Sequence, residues 1–420
     1  MKIFKTILFF IFSLIIRTDK KILVFGDRAG KKFSDNSRYL FIYLNKFEKE
    51  FACIWLTSEK KILRIVKKLG YQVYLSKSII GSYYALRAYW HIYNYSENDT
   101  HEYVAKFRNT INLFHGTAVK KVTKKYLHNF YKKNLLNRIF TKFNYLKNKF
   151  KKSYLVYANN KRNYIPWTSW SGFFPPWKFN GTIVSNLQRN IMLNNYLNIN
   201  LDIFRTKKEQ LLFKKLLNTN KKIIGYFPTF RIGYSDLFID VTNLELLDRL
   251  NQELKKNNSI ILIKKHMTGY TEDRNKFYDN THDKFKYLKK FENFYTIDYD
   301  IDLTAILSLC DLIISDYSSL ILDYLFINKP IILYIPDYKR YSKSPGIALN
   351  IKKEKFFFIA NNFFELNKLI NQYNLQPNKF SNKHNKERLM MKKKIFEDYS
   401  CFENIIKIIK LNLINNEKLS

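Results

Sequence analysis

The stretch Asp302–Tyr338, DLTAILSLCDLIISDYSSLILDYLFINKPIILYIPDY, decides the fold. Asp302 can cap a helix, and Leu303, Ile306, Leu307 and Leu309 follow at helical spacing. Leu312–Ser315 is an apolar run with the length of a buried strand. Asp316-Tyr317-Ser318-Ser319 turns the chain into a second helix predicted over Leu320–Ile327, which Asn328-Lys329-Pro330 stops. Ile331–Ile335 is another buried strand, closed by Pro336. Helix, strand, turn, helix, strand is the grammar of a parallel sheet wrapped by helices. Ligands bind such sheets at the carboxyl ends of strands. Ser318 and Ser319 stand there, where backbone N–H groups lack helical partners and two hydroxyls add donors. One reading is a diphosphate cradle made without glycine; the other is a plain helix cap by Asp316 or a serine.

The chain has 420 residues, so two domains are expected, and 46% hydrophobic residues suffice for two cores. Lys+Arg number 73 against 35 Asp+Glu, a net charge of +38. Partners should be anionic: nucleic acid, a phospholipid surface or a phosphate-bearing substrate. Richness in Asn, Lys, Ile, Tyr and Phe also fits a biased genome, which dilutes the meaning of the lysines. Cys53, Cys310 and Cys401 are too few and too scattered for a disulfide frame or a metal site, and fit a reducing compartment.

Lys2 and Lys5 precede the apolar run Ile7–Ile16, which is too short for a bilayer needing about 20 residues. It reads as a helix on the membrane surface, with packing on the protein's own body as the alternative. Apolar runs at Ile22–Phe25, Ala52–Thr57, Gln72–Ser76 and Thr110–Phe114 are predicted strands, with helices over Arg38–Lys46, Ile62–Leu69 and Tyr83–Trp90. Ser34-Asp35-Asn36-Ser37 can cap the first of these helices. Thr110–Phe114 delivers His115-Gly116-Thr117, a histidine at a strand end able to accept a proton at neutral pH, with a capping or core histidine bonded to backbone as the alternative. From Lys120 to Lys152, lysines and arginines interleave with aromatics and no Asp or Glu occurs. That pattern suits an anionic membrane interface or single-stranded nucleic acid, with a solvated helical insertion as the alternative. Further strands are predicted at Tyr154–Ala158, Thr182–Val184, Lys222–Phe227, Ser259–Ile263 and Phe294–Ile297, and further helices over Leu244–Lys256, Asn362–Tyr373 and Lys393–Leu413. Three strand ends in the second half thus present Thr229/Arg231, Lys264/His266 and Ser318/Ser319, all able to bind phosphate oxygen.

The order HGTAVKK (115–121), NLQRN (186–190), YFPTFR (226–231), KKH (264–266), SDYSS (315–319) with Asp323, and KPIILY (329–334) resembles the CDP-glycerol glycerophosphotransferase family of teichoic-acid and capsule polyol-phosphate transferases. The likeness spans about residues 20 to 390 and includes ILVFGDRAGKKFSDNSRYLFIYL near the start. It implies an α/β fold of two Rossmann-like lobes, GT-B-like, preceded by the short membrane-surface helix. The expected division is 1–19 for that helix, 20–200 for an acceptor lobe with the basic insertion 120–152, 201–395 for a CDP-polyol-binding lobe, and 396–420 for a terminal helix. It implies transfer of glycerol phosphate, or a related polyol phosphate, from a CDP-activated donor to a hydroxyl of a membrane-linked acceptor, with release of CMP.

Residue by residue, the resemblance makes His115 the general base and His266 a phosphate-side catalytic histidine. It places Gly116, Thr117, Ala118, Val119, Arg189, Pro228, Thr229, Arg231, Lys264, Ser318, Ser319 and Asp323 around the donor. Lys264 stands where the family usually has arginine, and Met267 where it has proline. No obligatory cofactor is evident, and no carboxylate pair is placed as an obvious Mg²⁺ site. The implied partners are CDP-glycerol or CDP-ribitol, a lipid-linked or polymer acceptor, and the anionic cytoplasmic face of the cell membrane, with nucleic acid ranked below them. The competing readings are a GT-B nucleotide-sugar glycosyltransferase and a non-enzymatic polyanion-binding protein.

Overall fold

The computed structural model describes residues 2–114, 119, 151–157, 181–185, 207–229, 244–264, 287–297, 301, 303–343, 346–347, 349–351, 353–396 and 402–414. Among the described residues the chain forms two sheets, and every strand pairing in both is parallel. The first holds β1 (Asp19–Phe25), β2 (Ala52–Thr57), β3 (Val73–Leu75), β4 (Ala88–Tyr93), β5 (Asn109–Asn112), β6 (Ser153–Tyr157) and β7 (Gly181–Val184), in the order β3-β2-β1-β4-β5-β6-β7. The second holds β8 (Lys222–Tyr226), β9 (Ser259–Lys264), β10 (Phe294–Ile297), β11 (Leu312–Ser315), β12 (Ile331–Tyr334) and β13 (Phe358–Ala360), in the order β10-β9-β8-β11-β12-β13. Strand order therefore reverses between β1 and β4 in one sheet and between β8 and β11 in the other. Open α/β sheets bind ligands at such reversals.

Burial explains why these segments are strands. Parallel sheets are covered on both faces, so their strands read as continuous apolar runs. In β11, Ile313 joins one apolar cluster while Leu312 and Ile314 join another, the alternation a pleated strand imposes. In β12, Ile331 and Leu333 share the cluster of Ile313, and Ile332 that of Ile314. All six are fully buried, each contributing about 1.5–3 kcal/mol over an exposed position.

The helix expected over Tyr83–Trp90 is corrected. Helix α4 runs from Ile79 to Arg87, and β4 begins at Ala88 with no intervening loop. Ala88 is already extended, at φ −63° and ψ 133°, and Trp90 is a fully buried strand residue. The expected Leu320–Ile327 helix is α-helical over Leu320–Asp323 and tightens into a 3₁₀ turn over Tyr324–Phe326. A helix over Lys207–Leu217, with Phe213 and Leu216 buried, leads into β8. The terminal helix expected over Lys393–Leu413 is two. Asn385–Ile395 buries Met391 and Ile395 in the second sheet's core, and Glu403–Ile414 buries Ile405, Ile406 and Ile409 in the first sheet's core.

Polar contacts among the described residues join the lobes. Helix α2 (Asp35–Phe47) supplies the buried Arg38, whose Nη1 lies 3.8 Å from Glu209 Oε2 of the Lys207–Leu217 helix. The Leu349 N–H donates to the carbonyl of Val119 at 3.4 Å.

Gly26, at the end of β1, shows how closely the backbone packs at the first reversal. A Cβ there would lie 1.9 Å from the carbonyl oxygen of Asp99. Gly26→Ala must push two backbones apart and is expected to cost about 1–3 kcal/mol, measured by urea denaturation. A loss below half a kcal/mol would show that the two loops move apart freely.

Candidate functional site

At the first reversal, the loops after β1 and β4 are tied by buried acids. Asp99 Oδ1 accepts from Ala29 N at 3.0 Å, and its Oδ2 accepts from Tyr95 N and Ser96 N at 2.8 and 3.2 Å. Burial raises its pKa. Asp27, fully buried, accepts from Asn94 Nδ2 at 3.0 Å and from the Ser34 hydroxyl at 2.6 Å. Burial, reinforced by the charge of Asp35, pushes its carboxyl up to about 8, so it is largely protonated at neutral pH. Arg28 lies 3.7 Å over the Tyr95 ring and donates to the Tyr95 hydroxyl, which donates to Asp35 Oδ2 at 3.1 Å. Arg28, Ala29 and Asp35 all have positive φ, a strained conformation that recurs at functional sites.

The third strand end at this edge is that of β5. Asn112 Oδ1 accepts from Phe114 N at 2.9 Å, and Asn36 Nδ2 donates to the carbonyls of Leu113 and Phe114 at 3.4 and 2.8 Å. Phe114 has φ +54°, which costs on the order of 1–3 kcal/mol for a bulky residue. Its half-buried ring packs against an apolar cluster that takes in Val119 and Leu155 of the first lobe together with core residues of the second. Buried His91, by contrast, bonds Thr100 and the Ala85 carbonyl, and burial lowers its pKa to about 3, a structural role.

At the second reversal one carboxylate does the tying. Thr229 N donates to both oxygens of buried Asp316, at 2.9 and 3.0 Å. The Ser315 hydroxyl donates to the Phe227 carbonyl at 2.7 Å. Pro228 and Thr229 are thus held beside Ser318 and Ser319, which are half-buried. The Leu320 N–H donates to the Ser318 hydroxyl at 3.3 Å. Among the described residues nothing accepts from the N–H groups of Ser318 and Ser319, and nothing bonds the Ser319 hydroxyl. These donors suit an anion. The four-residue helix behind them carries little dipole, so the local N–H and O–H groups hold the charge, and not the macrodipole expected for a longer helix.

Asp323 is buried behind this turn, its N–H bonded to the Ser319 carbonyl. Lys264 is buried at the end of β9, and its ammonium donates to the Ile301 carbonyl, tying that loop to the sheet edge. Val119 has its side chain in the second lobe's apolar cluster. His115, Gly116, Thr117, Ala118, Arg189, Arg231 and His266 lie outside the described residues. Asp27, Asn94 and Asp99 did not stand out in the sequence, and Asp316 did so only as a possible helix cap. Once β4 is misread as helix, nothing marks the residues after it as lining a sheet edge. Among the described residues no group of three or more His, Cys, Asp or Glu is placed to hold a metal ion.

A family model described as CDP-Glycerol:Poly(glycerophosphate) glycerophosphotransferase matches residues 8–169 and 202–409. A teichoic acid poly(glycerol phosphate) polymerase of Bacillus spizizenii is 26% identical over 354 residues, which is 80% of this chain and 81% of that one. The polymerase of the same description from Bacillus subtilis is 25% identical, over 80% of this chain and 41% of its own length. The teichoic acid ribitol-phosphate polymerase TarL of Staphylococcus aureus is 32% identical over 122 residues, 29% of this chain and 20% of its own. Solved structures of the wall teichoic acid polymerase TagF share the fold. One superposes with a TM-score of 0.68 at 18% identity, covering 99% of this chain and 95% of that one. A variant soaked with CDPG gives 0.66 at 18% identity, covering 99% and 94%.

The raised pKa of Asp27 sets a pH dependence. The folded chain keeps a proton that the unfolded chain releases above its ordinary value of 3.8, so this group's contribution falls as pH rises from about 4 to about 8. Asp27→Asn removes the titration and keeps a bonding group for both partners. Relative to wild type, its Tm is expected to be higher at pH 8 than at pH 4.5. An equal Tm difference at the two pH values would refute the assignment.

Proposed function

Since the chain belongs to the CDP-glycerol:poly(glycerophosphate) glycerophosphotransferase family, we propose that it moves glycerol phosphate, or a related polyol phosphate, from a CDP-activated donor to a hydroxyl of a lipid-linked or polymer acceptor. The product is a teichoic-acid-like polymer, and CMP leaves. The observation that carries the reading is the set of open donors at Ser318 and Ser319, held beside the Asp316-bonded Thr229 at the second sheet's reversal. We assign donor binding to the lobe of residues 201–395 and acceptor binding to that of residues 20–200.

In the proposed reaction the acceptor hydroxyl attacks the β-phosphorus. An O–P bond forms, the bond from that phosphorus to the bridging oxygen breaks, and the electron pair leaves with CMP. His115 takes the hydroxyl proton. His266, with the N–H and hydroxyl groups of Ser318 and Ser319, stabilises the charge that builds on the phosphate oxygens. Lys264 ties the Ile301 loop to the sheet edge, and Asp316 ties Thr229 beside the two serines.

We also propose that the protein works on an anionic membrane surface, with helix α1 (Lys2–Ile15) as contact. At 14 residues the helix is about 21 Å long, short of the roughly 30 Å hydrocarbon core. Among the described residues no helix is long and apolar enough to cross a membrane. Its inner side is docked: Phe9 stacks on Tyr103, and Arg108 donates to the carbonyls of Ser13 and Ile16. Its outer side exposes Phe4, Leu14 and Ile15 at 69, 71 and 72%. Ile79, Ile80 and Tyr83, at the start of α4, are also exposed, on the face of the first sheet that α1 covers.

Purified enzyme given CDP-glycerol or CDP-ribitol with lipid-linked acceptor is expected to release CMP, and His115→Ala to lower kcat by about 10²–10⁴ while donor still binds. No CMP from either donor with folded enzyme would defeat the proposal, and turnover of His115→Ala within tenfold of wild type would remove its role as base. Leu14→Glu with Ile15→Glu is expected to reduce co-sedimentation with phosphatidylglycerol vesicles at least tenfold without changing Tm. Unchanged sedimentation would exclude α1 as the contact.

A further inference from the structure

We propose that Asn36 is a positioning residue for His115, acting through the backbone of Leu113 and Phe114. The inference rests on the reading of His115 as general base. Asn36 is buried in the first turn of α2, and its side chain makes no hydrogen bond within that helix. Instead its Nδ2 reaches 77 and 78 residues along the chain to the carbonyls of Leu113 and Phe114. With Asn112 Oδ1 on the Phe114 N–H, both polar backbone groups of Phe114 are held by asparagine side chains. That grip keeps a bulky residue at φ +54° one position before the histidine.

Asn36 is itself anchored. The N–H of its neighbour Ser37 donates to Asn94 Oδ1 at 3.0 Å, and Asn94 Nδ2 donates to the buried Asp27. One chain of amide and carboxyl groups thus runs from the β1–β4 reversal to the last described residue before His115. A strand-end loop has no intrinsic direction, and a base must lie within hydrogen-bond reach of the proton it removes. A displacement of 1 Å at a reacting group can cost about 10²-fold in rate. An amide donor on two successive carbonyls fixes the path on which the chain leaves β5. Aspartate at this position keeps the shape but turns acceptors toward those carbonyls.

The test is steady-state CMP release from CDP-glycerol with a lipid-linked acceptor, for wild type, Asn36→Ala, Asn36→Asp, His115→Ala and each Asn36 variant combined with His115→Ala. Asn36→Ala and Asn36→Asp are expected to lower kcat about 10–10²-fold, with KM for CDP-glycerol within twofold of wild type. In the His115→Ala background the same substitutions are expected to change kcat less than twofold, because groups acting through one residue are not additive. A full-sized loss from either Asn36 variant in that background overturns the proposal and leaves the base reading intact. A loss confined to KM does the same. Turnover of His115→Ala within tenfold of wild type overturns the base reading and this proposal with it. The two Asn36 variants are independent, so failure of one to fold leaves the other to decide.

Discussion

Where parallel strands end, backbone N–H groups point into loops with no further strand to accept from them, and leaving such donors buried and unpaired is costly. Both sheets meet this constraint at their reversal with a buried aspartate. Asp316 takes the Thr229 N–H on both oxygens, and Asp99 takes three N–H groups from two loops. Hydrogen bonds to charged groups contribute about 1.5–3 kcal/mol each, enough to keep these loops from fraying where a ligand arrives. The two edges differ in what remains. The first gathers Asp27, Asp35 and Asp99, and burial keeps one of them protonated. Among the described residues, the second keeps unbonded N–H and O–H donors at Ser318 and Ser319. The oxygens of the first are taken up by internal donors, whereas open donors of the second kind suit an anion such as phosphate.

Strands were the most legible part of the chain, because burial on both faces writes each one as an unbroken apolar run. Ala52–Thr57, Phe294–Ile297 and Leu312–Ser315 have the bounds their residues suggest. Ala88–Tyr93 was hidden because α4 runs into it without a turn residue, so one apolar segment serves two elements. The polar network was less legible still. Asn94 with Asp27, Asn36 with Phe114 and Thr229 with Asp316 are 67, 78 and 87 positions apart, and such pairs leave no local period to read. Ser34 illustrates the difference: it stands at the cap position of α2 but makes no cap bond, its hydroxyl going to Asp27. The serines of SDYSS were legible because strand end and turn adjoin in the chain.

The excess positive charge has more than one use. Buried Arg108 grips the last carbonyls of α1, a favourable place for a cation, although burial lowers its pKa to about 10. Buried Lys264 and Lys151 are spent on Ile301 and Glu97. A count of lysines therefore overstates what is left for a polyanionic partner, and the placement of each cation matters more than the sum.

The helix Glu403–Ile414 completes the core of the first lobe, with Phe402, Ile405, Ile406 and Ile409 buried among side chains of β1, β2 and α2. The chain delivers these residues only after the second lobe. At 5–20 residues per second of synthesis, the first lobe waits tens of seconds with a bare apolar face while the second is made. The two lobes therefore cannot mature one after the other on the ribosome. The first closes only when the second has been threaded through, which makes loss of the Glu403–Ile414 helix a lesion of the amino-terminal half.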